Sequence, residues 1–261
     1  QFESLIISSI LKKKIYLHIH DTRLNFLSKT IIFVFSSFIY KVFFASEKSK
    51  KYYKKIIKCK KKYVLPSSVN TNYFKRKKII TNNLLNVGMV ANINPDKNFE
   101  LFLKILKKNK LNKIKFILIG KVWDTQKDYF YNKLNSFKEI KGKFKWYKKI
   151  DSPINIMKKF DVMMCTSKHE SLPLSIIEAL SLSIPILSTD VGSIKKIVRT
   201  KKFNCGLIIN DFEEEKFINY LIQFINNKKK LMLLSRNARK VAIENHSIDE
   251  FTKKFQKHIL D

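Results

Sequence analysis

Glycine, proline, cysteine and arginine are all scarce in this chain. Five glycines and five prolines occur in 261 residues, whereas average usage would make glycine alone roughly 7%. That excludes a collagen-like or linker-rich chain. No Gly-x-Gly-x-x-Gly occurs, so a dinucleotide redox fingerprint is absent. The three cysteines, Cys59, Cys165 and Cys205, are far apart and odd in number. They offer neither a disulfide framework nor metal-site spacing, and they fit a reducing cytoplasm. Arg23, Arg76, Arg199, Arg236 and Arg239 are the only arginines among 53 basic residues. Base reading and bidentate phosphate clamping favour arginine. The net charge of +32 therefore reads mainly as solvated surface lysine, with some of it available for acidic lipid. No apolar run reaches the roughly 20 residues of a membrane span. The longest, Thr30–Tyr40, is closed by Lys29 and Lys41 and is expected to be a buried helix.

Hydrophobic residues make up 45% of the chain, enough for one large or two small domains with a real core. Strands and helices alternate, which predicts parallel sheets. Before residue 78 the pattern gives strands at Lys14–Ile19, Val42–Ala45 and Tyr63–Leu65, with helices at Phe2–Ile10, Asn25–Tyr40 and Glu47–Lys58. From Leu84 it becomes regular. Strands are expected at Leu84–Ala91, Lys115–Ile119, Phe144–Tyr147, Val162–Cys165, Pro185–Leu187 and Cys205–Ile209. Helices are expected at Asn98–Lys108, Gln126–Ile140 with its aromatic residues on one face, Ile154–Lys159, Pro173–Ser183, Phe212–Asn226, Lys230–Asn245 and Ile248–Leu260. The domains read as 1–78, 79–247 and a terminal helix, 248–261, packing back toward the first.

The stretch Phe160–Ser193, FDVMMCTSKHESLPLSIIEALSLSIPILSTDVGS, organises the rest. It reads as strand, polar loop, helix, strand: one βαβ unit whose loop lies at the carboxyl edge of the sheet, where ligands of open α/β folds bind. Glu170 stands in the loop and Glu178 inside the helix, so the two carboxylates are not neighbours. They could grip two parts of one extended ligand, with helix N-terminal amides between them suited to a phosphate. The plainer reading is a capped loop and a solvated glutamate.

Glu170, Glu178, the Ser-Leu-Pro-Leu between them and the downstream PILSTDVGS together resemble the C-terminal half of retaining glycosyltransferases of family 4 (glycosyl transferases group 1). The resemblance implies an α/β fold of GT-B type, with one complete Rossmann-like C-terminal half and a partial N-terminal one. It implies a catalytic, donor-sugar role for Glu170 and a grip on the ribose hydroxyls for Glu178. The turn of Ser171, Leu172, Pro173 and Leu174 would hold the diphosphate through its amides, and Gly120 would close a strand facing the donor. Lys97, before a helix, matches the family's phosphate lysine, although it could be one more surface lysine. Asn92 stands where the family commonly has arginine, and Ser193-Ile194-Lys195-Lys196 departs from its glycine-isoleucine-proline-glutamate. In the N-terminal part YLHIHDT is similar to the strand whose terminal histidine reaches the donor sugar. That assigns His20 rather than His18, the plainer reading being a satisfied core histidine. LPSSVNTNYFK resembles the family's interdomain hinge, matching at Pro66, Val69, Thr71 and Phe74.

The expected activity is transfer of a sugar from a nucleotide-sugar donor to a glycan or lipid-linked acceptor, with retention of configuration. No Asp-x-Asp occurs, and the resemblance implies neither a metal nor a separate cofactor; the nucleotide sugar is a substrate. Expected partners are the donor, the acceptor and an anionic membrane touched peripherally at its inner, cytoplasmic face, without nucleic acid. The competing class is a non-catalytic basic α/β protein that binds nucleic acid or an anionic membrane surface. The chain starts at Gln1 and offers three strands before the complete half, which predicts an N-terminally truncated form of a longer enzyme.

Overall fold

The computed structural model describes residues 2–20, 24–75, 84–140, 142–148 and 150–260. Two compact units emerge: Gln1–Ser68 with Asp249–Asp261, and Val69–Ile248. The division falls at Ser68/Val69, ahead of the 78/79 boundary expected from the lysine-rich run; that run at 76–83 lies outside the described residues.

The first unit runs α1 (Phe2–Ile10), β1 (Ile15–Ile19), α2 (Phe26–Phe35), β2 (Ile39–Phe44), α3 (Glu47–Tyr53) and β3 (Lys62–Val64). Its three strands form a parallel sheet in the order β1-β2-β3. Asn25 caps α2, its side chain accepting from the Ser28 amide, and Ser46 caps α3 in the same way. The helix expected over Asn25–Tyr40 stops early. It tightens into a 3₁₀ turn at Ser36–Phe38, and Ile39 and Tyr40 already belong to β2. Apolar residues all round gave no period with which to tell helix from strand. Nor is Thr30–Tyr40 a buried helix: Phe33, Val34 and Phe38 are each about half exposed.

The second unit continues with β4 (Leu85–Val90), α4 (Phe99–Lys108), β5 (Ile114–Ile119), α5 (Lys127–Ser136), β6 (Phe144–Tyr147), α6 (Ile154–Met157) and β7 (Val162–Cys165). Then come α7 (Leu174–Ser181), β8 (Ile186–Thr189), α8 (Ile194–Val198), β9 (Gly206–Ile209), α9 (Glu214–Asn226), α10 (Lys228–His246) and α11 (Ile248–Leu260). From Asp249 onward α11 belongs to the first unit. The six strands form one parallel sheet in the order β6-β5-β4-β7-β8-β9. Side chains alternate between its faces. Ile114, Phe116 and Leu118 of β5 and Val162 and Met164 of β7 join the core containing α4 and α9. Ile117, Ile119, Met163 and Cys165 join the one containing α7 and α8. α8 has no counterpart among the expected helices; at five residues it is too short for periodicity to show. In α5 only Phe130 is buried, while Tyr129 and Tyr131 are exposed, so its aromatics do not share one face.

The strand order explains where a ligand can sit. From β4 the chain runs outward through β5 to β6, then returns to β7 on the other side of β4 and proceeds to β9. The direction of winding reverses between β4 and β7. At such a switch point the loops leaving two adjacent strands diverge and leave a crevice at the carboxyl edge.

Candidate functional site

The crevice is present. A cavity of about 680 Å³ lies at the carboxyl ends of β4 and β5 and is lined by Asn92, Lys97, Gly120, Glu170, Pro173 and Leu174. Six of the residues singled out from the sequence thus surround one space. Ser171, Leu172 and Glu178 are not among its lining residues. His20 lies in the first unit, exposed just beyond the end of β1. Its Nδ1 is 3.4 Å from Ser67 Oγ and its ring centroid 4.1 Å from that of His18.

The loop carrying Glu170 is fastened on both sides. Thr166 Oγ1 donates to the Lys97 carbonyl at 2.9 Å, and the Lys168 amide donates to the Asp96 carbonyl at 2.7 Å. On the other side Thr189 Oγ1 donates to the Ser167 carbonyl and the Ser193 amide to the Ser171 carbonyl. Gly192 makes the second approach feasible. Its φ is +59°, and a Cβ there would stand 2.2 Å from the Glu170 carbonyl oxygen, so any other residue would push the loop away. Gly120, with φ +144°, has the same role beside β4, where a Cβ would meet the Ala91 carbonyl oxygen at 1.9 Å.

Lys97 ends a 3₁₀ turn, Pro95–Lys97, that Asn94 caps. Its ammonium donates to Glu170 Oε1 at 2.6 Å, and Ser167 Oγ donates to the same oxygen at 2.7 Å. Glu170 Oε2 makes no bond among the described residues. The site therefore presents an oriented carboxylate edge next to an ammonium whose remaining protons are available to an anion. Pro173 is the N-cap of α7, not its first residue as expected, and Leu174 opens the helix. Because proline has no N–H, amides for an anion would have to come from Leu174, Ser175 and Leu172. The first-turn amides lack intrahelical acceptors in any helix.

Glu178 sits one turn into α7, half-buried, and its carboxylate has no partner among the described residues. Burial alone pushes its pKa above the usual carboxylate range. A charge kept desolvated without compensation is costly, and such groups cluster at functional sites.

The cavity also holds residues that sequence reasoning missed: Lys121, Trp123, Lys148, His169 and Asp96. His169 Nδ1 is 3.0 Å from Asp96 Oδ1. Lys148 Nζ lies 4.6 Å from the Trp146 ring centroid, and the Trp146 indole donates to the Gly120 carbonyl at 2.9 Å. Their signal was positional: Lys121 and Lys148 follow closely on the ends of β5 and β6, and Trp123, His169 and Asp96 lie in the loops after β5, β7 and β4. The segment resembling a hinge is gripped within the second unit by Arg239, whose Nη1 donates to the carbonyls of Thr71, Phe74 and Ser181.

Fold and crevice together define an α/β protein of GT-B type. A family model, glycosyl transferases group 1, matches residues 70–241, and the chain belongs to that family. Among curated proteins it is 26% identical over 164 residues to the UDP-Gal:α-D-GlcNAc-diphosphoundecaprenol α-1,3-galactosyltransferase of Escherichia coli. That match covers 61% of this chain and 41% of the relative, so less than half of the relative's length is spanned. Among solved structures, Anabaena HepE in complex with UDP and glucose superposes with a TM-score of 0.84 at 16% identity, covering 100% of this chain and 76% of HepE. Sucrose-phosphate synthase of Thermosynechococcus elongatus gives 0.80 at 13% identity over 98% of this chain and 70% of that one. TarM gives 0.78 at 19% over 94% and 50%. At these identities the likeness is one of fold.

Proposed function

We propose that this chain is a retaining glycosyltransferase of family 4 type that moves a sugar from a nucleotide-sugar donor to a glycan or lipid-linked acceptor hydroxyl, without a metal. The observation that carries the reading is the switch-point cavity in which Lys97, Glu170 and the N-terminus of α7 converge. In the reaction the bond between the anomeric carbon and the diphosphate oxygen breaks, the acceptor oxygen bonds to the anomeric carbon, and the acceptor hydroxyl's proton passes to the departing diphosphate. Negative charge then develops on the departing diphosphate. Lys97, the α7 amides and the helix dipole stabilise that charge. Glu170, fixed on one oxygen by Lys97 and Ser167, orients the donor sugar through the other. Glu178 accepts from the ribose hydroxyls. UDP, bound in the HepE complex and present as UDP-Gal in the name of the E. coli relative, is the first donor nucleotide to test. The diphosphoundecaprenol in that relative's name favours a lipid-linked acceptor and peripheral contact with an anionic membrane at the cytoplasmic face. Among the described residues no helix is long and apolar enough to cross a membrane.

The test is thermal stabilisation by a panel of nucleoside diphosphates and nucleotide sugars, because a ligand that binds only the native state raises stability by mass action. One nucleotide series should raise the melting temperature in a concentration-dependent way. No shift with any of them, together with salt-sensitive binding of nucleic acid, would instead support the basic binding protein.

A further inference from the structure

Two side-chain bridges cross the switch point next to each other. Lys97 meets Glu170, and the residues just before them, Asp96 and His169, also meet, His169 Nδ1 lying 3.0 Å from Asp96 Oδ1. Backbone bonds keep both in register: the Lys168 amide donates to the Asp96 carbonyl at 2.7 Å, and Thr166 Oγ1 to the Lys97 carbonyl at 2.9 Å. Both residues of the second bridge line the cavity. A carboxylate can only accept a hydrogen bond, so the Asp96 contact puts a proton on His169 Nδ1 and fixes the tautomer. Nε2 makes no bond among the described residues, and the side chain is 48% exposed. In neutral imidazole that nitrogen is an acceptor, which a phosphate oxygen cannot use. In imidazolium it becomes a donor, while Nδ1 still serves the carboxylate.

The surroundings of the ring select an anion. The other charged groups lining the cavity are Lys97 and Asp96 after β4, Lys121 after β5, Lys148 after β6 and Glu170 on the same loop as His169. Lys168, also on that loop, is exposed. Asp190 and Lys195, after β8, pair with each other at 2.9 Å and do not line the space. The first turn of α7 opens on it at Leu174 and Ser175, bringing amides without intrahelical acceptors. With His169 neutral, the Asp96 carboxylate repels a phosphate in this space. With His169 protonated, that charge is compensated and one more donor is available.

We infer that Asp96 and His169 form a pH-dependent phosphate ligand: protonated His169 donates through Nε2 to a diphosphate oxygen of the donor, and Asp96 orients the ring. This rests on the diphosphate placement in the proposed function and adds a residue and a pH response to it. Imidazole changes charge between about pH 5 and 8, where lysines and carboxylates ordinarily keep theirs. Binding of a nucleotide sugar therefore strengthens as pH falls through that range.

UDP-galactose is titrated calorimetrically into the full chain and into its His169→Gln and Asp96→Ala variants at about pH 5.5 and about pH 8. The diphosphate of a nucleotide sugar has no proton that titrates in between. The parent should bind about tenfold more tightly at the acid end, as one charge-assisted hydrogen bond is gained. His169→Gln should bind alike at both. Asp96→Ala should narrow the parent's difference, from the acid end by freeing the ring and from the alkaline end by removing a like charge. Glu178 and the remaining histidines meet the same pH change in every chain, so the difference between chains reports the pair. Unliganded variants should melt with the parent, since the ring is half exposed. An equal pH response in parent and His169→Gln, no response in the parent, or an equal loss in His169→Gln at both pH values would overturn the inference and leave the transferase reading standing. Inorganic pyrophosphate is titrated in parallel. A His169-dependent response to pyrophosphate, with no binding of any nucleotide sugar, would keep the anion site and remove the transferase reading. No binding of either anion at the acid end would overturn both.

Discussion

Glu178 lets stability and binding be moved in opposite directions by one substitution. Its carboxylate is half-buried on α7 without a partner among the described residues, and burial raises its pKa. Between the unfolded and folded pKa values the native state holds the extra proton. Stability therefore falls as pH rises through that window and stays reduced above it. Glu178→Gln removes the charge and keeps the shape. The unliganded variant should melt higher than the parent at neutral pH, and the difference should fade as pH drops below the ordinary carboxylate range. Binding should respond the other way. A charged acceptor serving ribose hydroxyls is worth about 1.5–3 kcal/mol, or roughly 10- to 150-fold in affinity for a nucleoside diphosphate. Glu178→Ala should fall toward the upper end, because Gln still offers a neutral acceptor. Calorimetric titration and melting curves across pH measure both quantities. Unchanged nucleotide affinity in both variants would show that Glu178 is only a poorly solvated helix residue, and the ribose assignment would be lost.

Lys97→Ala should weaken binding of a nucleoside diphosphate clearly and of the nucleoside hardly at all, since a lysine acts on phosphate as a point charge; equal losses in competition titrations would make it structural. Lys41 is fully buried, and its ammonium donates to the last carbonyls of α11, those of His258 and Ile259, at 2.7 and 2.8 Å. Lys41→Met should cost about 2–4 kcal/mol in denaturant unfolding, as two carbonyls lose a charged donor; a loss below about 0.5 kcal/mol would mean the helix end is solvated instead. Burial, and then the neighbouring His20, push the His18 pKa down to about 4. Because the folded state holds His18 neutral, its contribution is present above about 6.5 and is lost as pH falls toward about 4. Discounted for its partial exposure, that loss is ~1–3 kcal/mol. His18→Gln, which keeps a donor for the Leu65 carbonyl, should flatten the melting profile across that window.

Much of the second unit is legible in its residues. Val162–Cys165, buried throughout, occurs as a strand within the bounds its apolar run suggests, because a strand buried on both faces needs an unbroken apolar run, and the edge strand Phe144–Tyr147 also keeps its expected bounds. The strand–loop–helix–strand around Glu170 follows from the same local chemistry, with Pro173 stopping helix on its amino side. Where local patterns were silent, tertiary structure decided. Ile39 and Tyr40 fit helix or strand equally well, and pairing with β1 made them strand. Lys121, Trp123 and Lys148 look like any surface residues until sheet order places β5 beside β4, and β6 beside β5, on one side of the crevice. The Lys97–Glu170 bond spans residues far apart in sequence and exists because β7 pairs with β4 across the switch point.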